Sequence, residues 1–324
     1  MNLLSSLWRM HRDSSHSAVI SHPTAVLLIA STAVIWGLGF PMTRFALDGG
    51  ISVGALMSVR FVLAGLLMLV IIRARRIPIV RRGVLDGVWL GLVLAAIFWS
   101  QTDGMRFTTT AKSGFITGLY VLFTPFIAIV VGQHVKLAST VGAIIASYGL
   151  YLLVHPAGGW GGGHGTWSVF AQMNRGDLET LLCAILCAVH IVMMGVFTRR
   201  SDAWLLAGSQ VAVCGVVSVA LCACLPAPYG FQNLAQMLRQ PTVFGPAIYL
   251  ALFSTVFAFW GQALAQTRLG PAEAAVLFCI EPVTAAVLSV FWLKEPMTGQ
   301  QVFGGGLIVV AMVVASAVPY MFDW

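Results

Sequence analysis

Apolar residues occur along this chain in long segments that are separated by short polar or charged connections. A helical segment of about 20 residues crosses a hydrocarbon core about 30 Å thick, since each residue adds about 1.5 Å. The pattern predicts ten spans, at approximately 24–45, 53–72, 84–102, 112–131, 139–155, 178–198, 204–225, 243–265, 271–293 and 301–320. The predicted fold is therefore an all-α polytopic membrane protein with ten transmembrane helices.

The first five spans resemble the last five in the order of their residues. Four sets of positions align: Trp36 with His190, Arg60 with Gln210, Phe98-Trp99-x-Gln101 with Phe259-Trp260-x-Gln262, and Pro125 with Pro282. Because five is an odd number, the second half enters the membrane from the opposite side. The repeat thus predicts two inverted five-helix repeats that alternate between outward-open and inward-open states around a site near the midplane.

The predicted boundaries follow from these spans. They are a cytoplasmic N-terminal segment at 1–23, a first repeat at 24–155, an external glycine-rich linker at 156–177, a second repeat at 178–320 and a C-terminal tail at 321–324. The first segment is not interpreted as a cleavable signal, because the apolar run after it is too long and lacks a small-residue cleavage pattern.

Composition and charge agree with a membrane protein. The chain is 59% apolar and 9% charged, against roughly 25% charged in a soluble domain. The net charge of +7 is therefore interpreted from how the basic residues are distributed between the loops, and it is not taken as a sign of nucleic-acid binding. With the N-terminus inside, eleven basic residues lie on the inner side, namely Arg9, Arg12, Arg73, Arg75, Arg76, Arg81, Arg82, Lys136, Arg199, Arg200 and Arg268, against six outside.

This bias places both termini in the cytoplasm. The basic run from Ile71 to Arg82 is interpreted as an orientation signal that lies on anionic lipid head groups.

Motifs for metals, cofactors and catalysis are not found. All six cysteines fall inside predicted spans and are interpreted as packing residues. Cys183 and Cys187 are one turn apart, but no His or carboxylate joins them at a metal-ligand spacing. HExxH and Walker motifs are absent from the sequence, which argues against an enzyme and against direct ATP drive. A membrane-embedded enzyme and a non-transporting structural protein stay as alternatives.

Polar residues at mid-membrane are the candidate site. Arg60, His190 and Glu281 fall near the middle of their spans, and charged residues at that depth are costly and mark functional sites by default. We expect a midplane cluster of these three residues, with Trp36 as an aromatic wall. Arg60 either holds an anionic group or pairs with Glu281, and Glu281 binds a substrate amine or a proton. The alternative is a purely structural ion pair.

Other polar positions extend this site. Trp99 with Gln101 and Trp260 with Gln262 are candidate outer and inner gates, although an interfacial tryptophan belt also explains both tryptophans. Gln101, Gln210 and Gln262 are expected to face the interior. Pro125 and Pro282 are expected to break their helices.

Several of these motifs together resemble the drug/metabolite transporter (DMT) superfamily, in its EamA-like branch of ten-helix bacterial transporters. The resemblance runs from about Thr24 to Val318 and rests on Trp36-Gly37, Phe40, Arg60-Phe61, SGFITGLYVLFTP (Ser113 to Pro125), AVHIVMMG (Ala188 to Gly195), Gln262 with Gln266, and IEPVTAAVLSVFWLKE (Ile280 to Glu295). The chain departs from the usual Gly-Glu pair after the ninth helix with Lys294-Glu295, and it has Gly132-Gln133 after the fourth.

The resemblance implies that 24–155 and 178–320 are EamA-like repeats in a bacterial inner (plasma) membrane. It implies a cavity lined by helices one to four and six to nine. The expected function is secondary transport of small metabolites, with amino acids or related compounds first and drugs next, working by alternating access and more often as an exporter. Arg60 and Glu281 could together address a zwitterion. Proton coupling, exchange and facilitated diffusion stay open, and no pattern predicts an oligomeric state.

Overall fold

Helices make up the regular structure of the described chain. The computed structural model describes residues 20–108, 110–154, 173–226, 229–231, 234–292 and 298–316, and within them it contains no strand. The helices are α1 His22–Asp48, α2 Val53–Ala74, α3 Arg81–Gly104, α4 Thr110–Gly118, α5 Tyr120–Val130, α6 Leu137–Val154, α7 Arg175–Phe197, α8 Ala203–Cys224, α9 Leu234–Arg239, α10 Pro241–Ala251, α11 Ala258–Ala265, α12 Pro271–Phe278, α13 Ile280–Trp292 and α14 Gly299–Ser316. A π-helical turn, Leu252–Phe257, joins α10 to α11.

Seven segments of the described residues are long and apolar enough to cross a membrane. They are His22–Asp48, Val53–Ala74, Arg81–Gly104, Ser113–Val130, Arg175–Phe197, Ala203–Cys224 and Pro241–Ala265. The fifth and tenth predicted spans correspond to two shorter apolar helices, α6 and α14. The ninth predicted span, 271–293, is divided between α12 and α13.

Polar caps set where several helices begin. The Ser52 side chain accepts a hydrogen bond from the Ala55 N–H at the start of α2, and Asp202 does the same for Trp204 and Leu205 at the start of α8. Such caps stabilise a helix by about 1 kcal/mol. A reciprocal pair of bonds between Asn174 and Asp177 starts α7 at Arg175, inside the linker predicted at 156–177. The rest of that linker up to 172, the tail at 321–324, and Lys294 with Glu295 lie outside the described residues.

Two of the predicted spans, the fourth and the ninth, are broken near their middle. The first break separates α4 from α5 at Leu119, and the second separates α12 from α13 at Cys279. Pro282 accounts for the second break, because its nitrogen cannot donate to the Phe278 carbonyl four residues earlier and its ring crowds that carbonyl. Pro125 lies inside α5, beyond the first break. The two breaks lie next to each other in space, since a Cβ added to Gly118 would lie 3.6 Å from Pro282 Cγ.

The buried apolar side chains of the described residues form two large clusters and one small one. The first large cluster is centred on α2, α3 and α8 and contains Phe61 and Phe259. The second is centred on α1, α5, α12 and α14 and contains Leu150 and Phe278. Trp36 packs against both. The central cavity lies where these two clusters meet.

Ion pairs fasten the two ends of the neighbouring helices α3 and α7. At one end the Asp103 carboxylate accepts hydrogen bonds of 2.8 Å from Arg106 and from Arg175. At the other end Asp86 pairs with Arg200, just after α7. Both carboxylates are almost fully buried, so breaking either pair would leave an uncompensated charge in a poorly solvated place.

Candidate functional site

A narrow cavity lies at the centre of the helix bundle. Its volume is about 70 Å³. Its walls are mainly apolar and aromatic. The polar side chains on the walls are Thr43, Arg60, Gln101, Thr117, Tyr120, His190, Ser254, Gln262 and Glu281. The three residues predicted to cluster at the midplane therefore line one cavity.

Arg60 is buried in this cavity, with 2% of its surface exposed. Its Nε donates to Thr255 Oγ1 at 2.8 Å, and its Nη2 donates to Ser254 Oγ at 3.1 Å. The guanidinium carbon lies 4.1 Å from the centre of the Phe98 ring. These contacts compensate part of the cost of burying the charge, by hydrogen bonding and by cation–π attraction. No carboxylate among the described residues forms an ion pair with Arg60.

The π-helical turn supplies the oxygens that hold Arg60. The Ser254 carbonyl accepts a 2.9 Å hydrogen bond from Trp36 Nε1 and a 3.3 Å bond from Arg60 Nη2. The Thr255 hydroxyl donates to the Leu250 carbonyl at 2.8 Å, so its lone pair faces Arg60. Such turns interrupt the regular helix and often occur at functional sites. This turn was not predicted from the sequence, and its one local signal is a Ser-Thr pair inside an apolar span.

Glu281 lies on the side of the cavity formed by the second large cluster, across from the cluster that contains Arg60's neighbours. It follows the break between α12 and α13 directly. It is 6% exposed and makes no ion pair with any described residue. The Tyr120 phenol, just after the other break, is close enough to interact with it electrostatically. The Tyr120 hydroxyl nevertheless makes no hydrogen bond of normal geometry within the described residues. Arg60 and Glu281 thus share the cavity but do not pair.

The His190 ring is hydrogen-bonded to Gln210 on the side away from the cavity. The distance from His190 Nε2 to Gln210 Oε1 is 2.7 Å, and because an amide oxygen only accepts, the imidazole nitrogen donates. The ring also packs edge-on against Phe259, with centroids 5.9 Å apart. Gln210 is fully buried and does not line the cavity, and its Nε2 has no partner among the described residues. Gln210 therefore orients His190 and leaves one ring edge to the cavity.

On the transport function that the sequence resemblance implies, replacing Gln210 by methionine is expected to raise the substrate concentration at half-maximal transport about fivefold. The change keeps the volume but removes the acceptor, and an unsatisfied buried donor costs about 1–3 kcal/mol. Transport kinetics in proteoliposomes measure the effect. Ser218→Ala, which removes a buried hydroxyl from the same helix away from His190, is the matched control. An unchanged Gln210→Met variant would show that the orientation of His190 is irrelevant to binding.

The predicted gate residues divide into two groups. Gln101 and Gln262 line the cavity, while Trp99 and Trp260 do not. Gln101 Nε2 lies 3.4 Å from Thr117 Oγ1, and Gln262 Nε2 donates to Gln266 at 3.0 Å. Trp99 packs against Tyr229, and Trp260 stacks on Trp204 with centroids 4.9 Å apart. The Gln262 Oε1 atom is buried without a partner among the described residues.

Aromatic walls are the main feature of the cavity that the sequence analysis did not assign. The rings not predicted there are Phe40, Phe98, Tyr120, Phe259 and Phe278. Phe98 and Phe259 occupy the same position of the repeated Phe-Trp-x-Gln motif, and that symmetry was the available signal. Trp36 lies against two of these rings, with centroids 5.5 Å and 5.1 Å away.

The chemistry of the cavity suits binding of a small amphipathic molecule. A fixed cation, a separate carboxyl group and aromatic faces surround one space, which is the usual composition of a small-molecule site. Within the described ranges no group of three His, Cys, Asp or Glu side chains is placed to hold a metal ion.

Comparisons with known proteins point to membrane transport. A family model described as the EamA-like transporter family matches residues 23–155 and 174–317. An uncharacterized transporter of Archaeoglobus fulgidus is 30% identical over 293 residues, covering 90% of this chain and 85% of its own. The uncharacterized transporter YwfM of Bacillus subtilis is 26% identical over 157 residues, 48% of this chain and 52% of its own. A solved crystal structure matches 94% of this chain and all of its own with a TM-score of 0.71, at 19% identity.

Proposed function

Because the chain belongs to the EamA-like transporter family and is a multi-pass membrane transporter, we propose that it is a secondary carrier of small metabolites and not an enzyme. The observation that carries this proposal is the buried Arg60, which has hydrogen bonds but no carboxylate partner within the described residues. A buried cation of this kind is suited to receive an anionic group of a substrate.

The proposed architecture is ten spans in two inverted repeats, at 24–155 and 178–320. The broken pairs α4–α5 and α12–α13 each count as one span, and α6 and α14 complete the two halves. The matching positions of the breaks in the fourth and ninth spans support this arrangement. Helices broken at mid-membrane are typical of carriers in which the two halves rock around a central site. Alternating access follows from that symmetry.

The proposed substrates are amino acids or related compounds, followed by cationic or aromatic drugs. Arg60 would bind a carboxylate, and Glu281 would bind an amine or a proton. The rings of Trp36, Phe98 and Phe259 would cover an apolar side chain. We place the carrier in the bacterial inner membrane with both termini in the cytoplasm, on the charge bias between loops, and we assign export as its direction.

Glu281→Gln is expected to abolish accumulation driven by a pH gradient while exchange continues. Glu281 is the cavity carboxyl group, and it makes no ion pair with the described residues, so a proton or an amine can occupy it. The measurement is uptake and counterflow of labelled amino-acid pools in proteoliposomes, with and without an imposed pH gradient.

Glu273→Gln is the matched control, because Glu273 is also buried but is bound to His22 and lies outside the cavity. If the Glu281→Gln variant still accumulates substrate in a pH gradient, Glu281 has a structural role and does not couple transport to protons. Absence of counterflow for every labelled pool, with folded wild-type protein in the vesicles, would contradict the carrier and favour a non-transporting membrane protein.

A further inference from the structure

A second cavity, separate from the central one, lies between α2 and α8. It is an open groove of about 610 Å³ whose lining is almost entirely apolar. Small residues form its floor, since a Cβ on Gly65 would lie 3.5 Å from the Ala212 Cα and one on Gly215 would lie 3.2 Å from the Phe61 backbone. These close approaches bring the two helices together and leave a channel between their larger side chains.

The groove has the length of one lipid tail. Along α2 its lining runs from Phe61 to Ile72, which corresponds to roughly 16 Å at about 1.5 Å per residue. One leaflet of a bilayer is half of a hydrocarbon core about 30 Å thick. The groove therefore spans about one leaflet, the one in which α2 ends.

Positive charge surrounds one end of this groove. Ile79 and Val84 line that end and bracket the first residues of α3. Five exposed arginines lie in the same stretch, namely Arg73, Arg75, Arg76, Arg81 and Arg82. Within the described ranges none of them forms an ion pair with a carboxylate, and Asp86, the acid nearest in sequence, is bound to Arg200.

The beginning of α3 adds a second feature suited to an anion. Its N-cap residue, Val80, makes no capping hydrogen bond with its side chain. The first N–H groups of a helix lack partners inside the helix, and they attract phosphate oxygens. An uncapped helix start and five arginines without a carboxylate partner among the described residues thus flank the end of an apolar groove about one leaflet long.

We propose that this groove binds one anionic phospholipid. The acyl chain lies between α2 and α8, and the head-group phosphate lies at the start of α3 among the arginines. Charge selects the head group, because each arginine near a membrane surface attracts an anionic lipid. The apolar groove then holds the lipid in one place, which a basic surface alone would not do.

The test measures lipid binding directly. The full-length protein in detergent is titrated with fluorescent phosphatidylglycerol, with phosphatidylcholine of the same chains as the neutral probe. We expect the wild type to prefer phosphatidylglycerol by at least about 25-fold, since more than two arginines surround the head group. Arg81→Gln with Arg82→Gln should weaken phosphatidylglycerol binding on the order of 25-fold and leave phosphatidylcholine unchanged, since each arginine contributes about a fivefold effect.

A substitution at an exposed residue that lines the groove tests the role of the groove. Ala212→Phe fills the channel without entering the core and should remove the saturable binding of both lipids. Arg239→Gln and Val309→Phe are the matched controls, because both residues are exposed and lie outside the groove. Thermal unfolding confirms that each variant is folded.

A measurement on the unmodified protein gives an independent answer. Photoactivatable phosphatidylglycerol in vesicles should crosslink to groove residues of α2 and α8. Crosslinks spread evenly over the lipid-facing helices would overturn the proposal, as would equal affinity for the two lipids. A change from dimer to monomer in Ala212→Phe, with lipid binding unaltered, would instead assign the groove to a second copy of the chain.

Discussion

Arg60→Gln is expected to lower transport of an anionic or zwitterionic substrate by about 30-fold or more. Removing one member of a buried, hydrogen-bonded charge pair costs about 2–5 kcal/mol, and about 1.4 kcal/mol corresponds to tenfold. The folded protein itself should not be destabilised, because the variant no longer buries a cation without a carboxylate partner among the described residues. Transport kinetics and thermal unfolding of the same preparations measure the two effects separately.

Two variants complete this experiment. Arg60→Lys keeps the charge but cannot reach both Thr255 and Ser254 with a planar fork, so we expect an intermediate loss of about tenfold. Arg268→Gln removes an exposed arginine outside the cavity and should transport normally. A large fall in unfolding temperature in Arg60→Gln, with the same loss for neutral and charged substrates, would assign Arg60 to holding α2 against the π-helical turn.

Gly37→Ala is expected to destabilise the protein by about 1–3 kcal/mol, as overpacking in a filled core does. An added Cβ would lie 2.6 Å from the Glu281 carbonyl oxygen and 2.7 Å from Thr284 Cβ. Neither atom is at the end of a flexible side chain, so α1 and α13 must separate. That movement shifts Trp36 and Glu281 on the two walls of the cavity, and transport should fall more than tenfold even where the protein stays folded.

Gly306→Ala is the control for this substitution. Gly306 lies inside α14, with nothing within 4 Å of its added Cβ, so alanine should stabilise the helix by about 0.5–1 kcal/mol. Unfolding temperature in detergent and initial transport rates are compared for both variants. Similar behaviour of the two would contradict the close α1–α13 contact.

The helices could be predicted from the sequence because a lipid environment leaves few alternatives. Backbone groups in a membrane must bond within the segment, so a long apolar run becomes a helix. The ends of the helices were harder to predict from the sequence. For α7, Asn174 and Asp177 form a capping pair inside the predicted linker. The break at Cys279 follows from Pro282, whereas the break at Leu119 has no comparable proline within four residues after it.

The residues of the site could be predicted from the sequence, but the contacts between them could not. Arg60, His190 and Glu281 stand out because polar groups at mid-membrane are costly. The hydrogen-bond partners of Arg60 are 194 and 195 residues away, and nothing local in the sequence connects them. From the sequence alone an Arg60–Glu281 pair and an anion site were both possible, and in this structure the two side chains do not pair. Gln210 was grouped with the cavity residues, but it lies behind His190.

The π-helical turn makes the length of one helix a functional property of the chain. Such a turn holds one residue more than the α-helical path it replaces, because its hydrogen bonds reach one residue further. Deleting a single residue from Leu252–Phe257 would let the helix become regular. The parts before and after the deletion would keep their mutual orientation, because a regular helix with one residue fewer covers the same path. Phe259 and Gln262 would stay on the wall that they share with Leu250, and the change would be confined to the turn whose Ser254 and Thr255 oxygens hold Arg60. Insertions and deletions in this segment are therefore as informative as substitutions when homologous chains are compared.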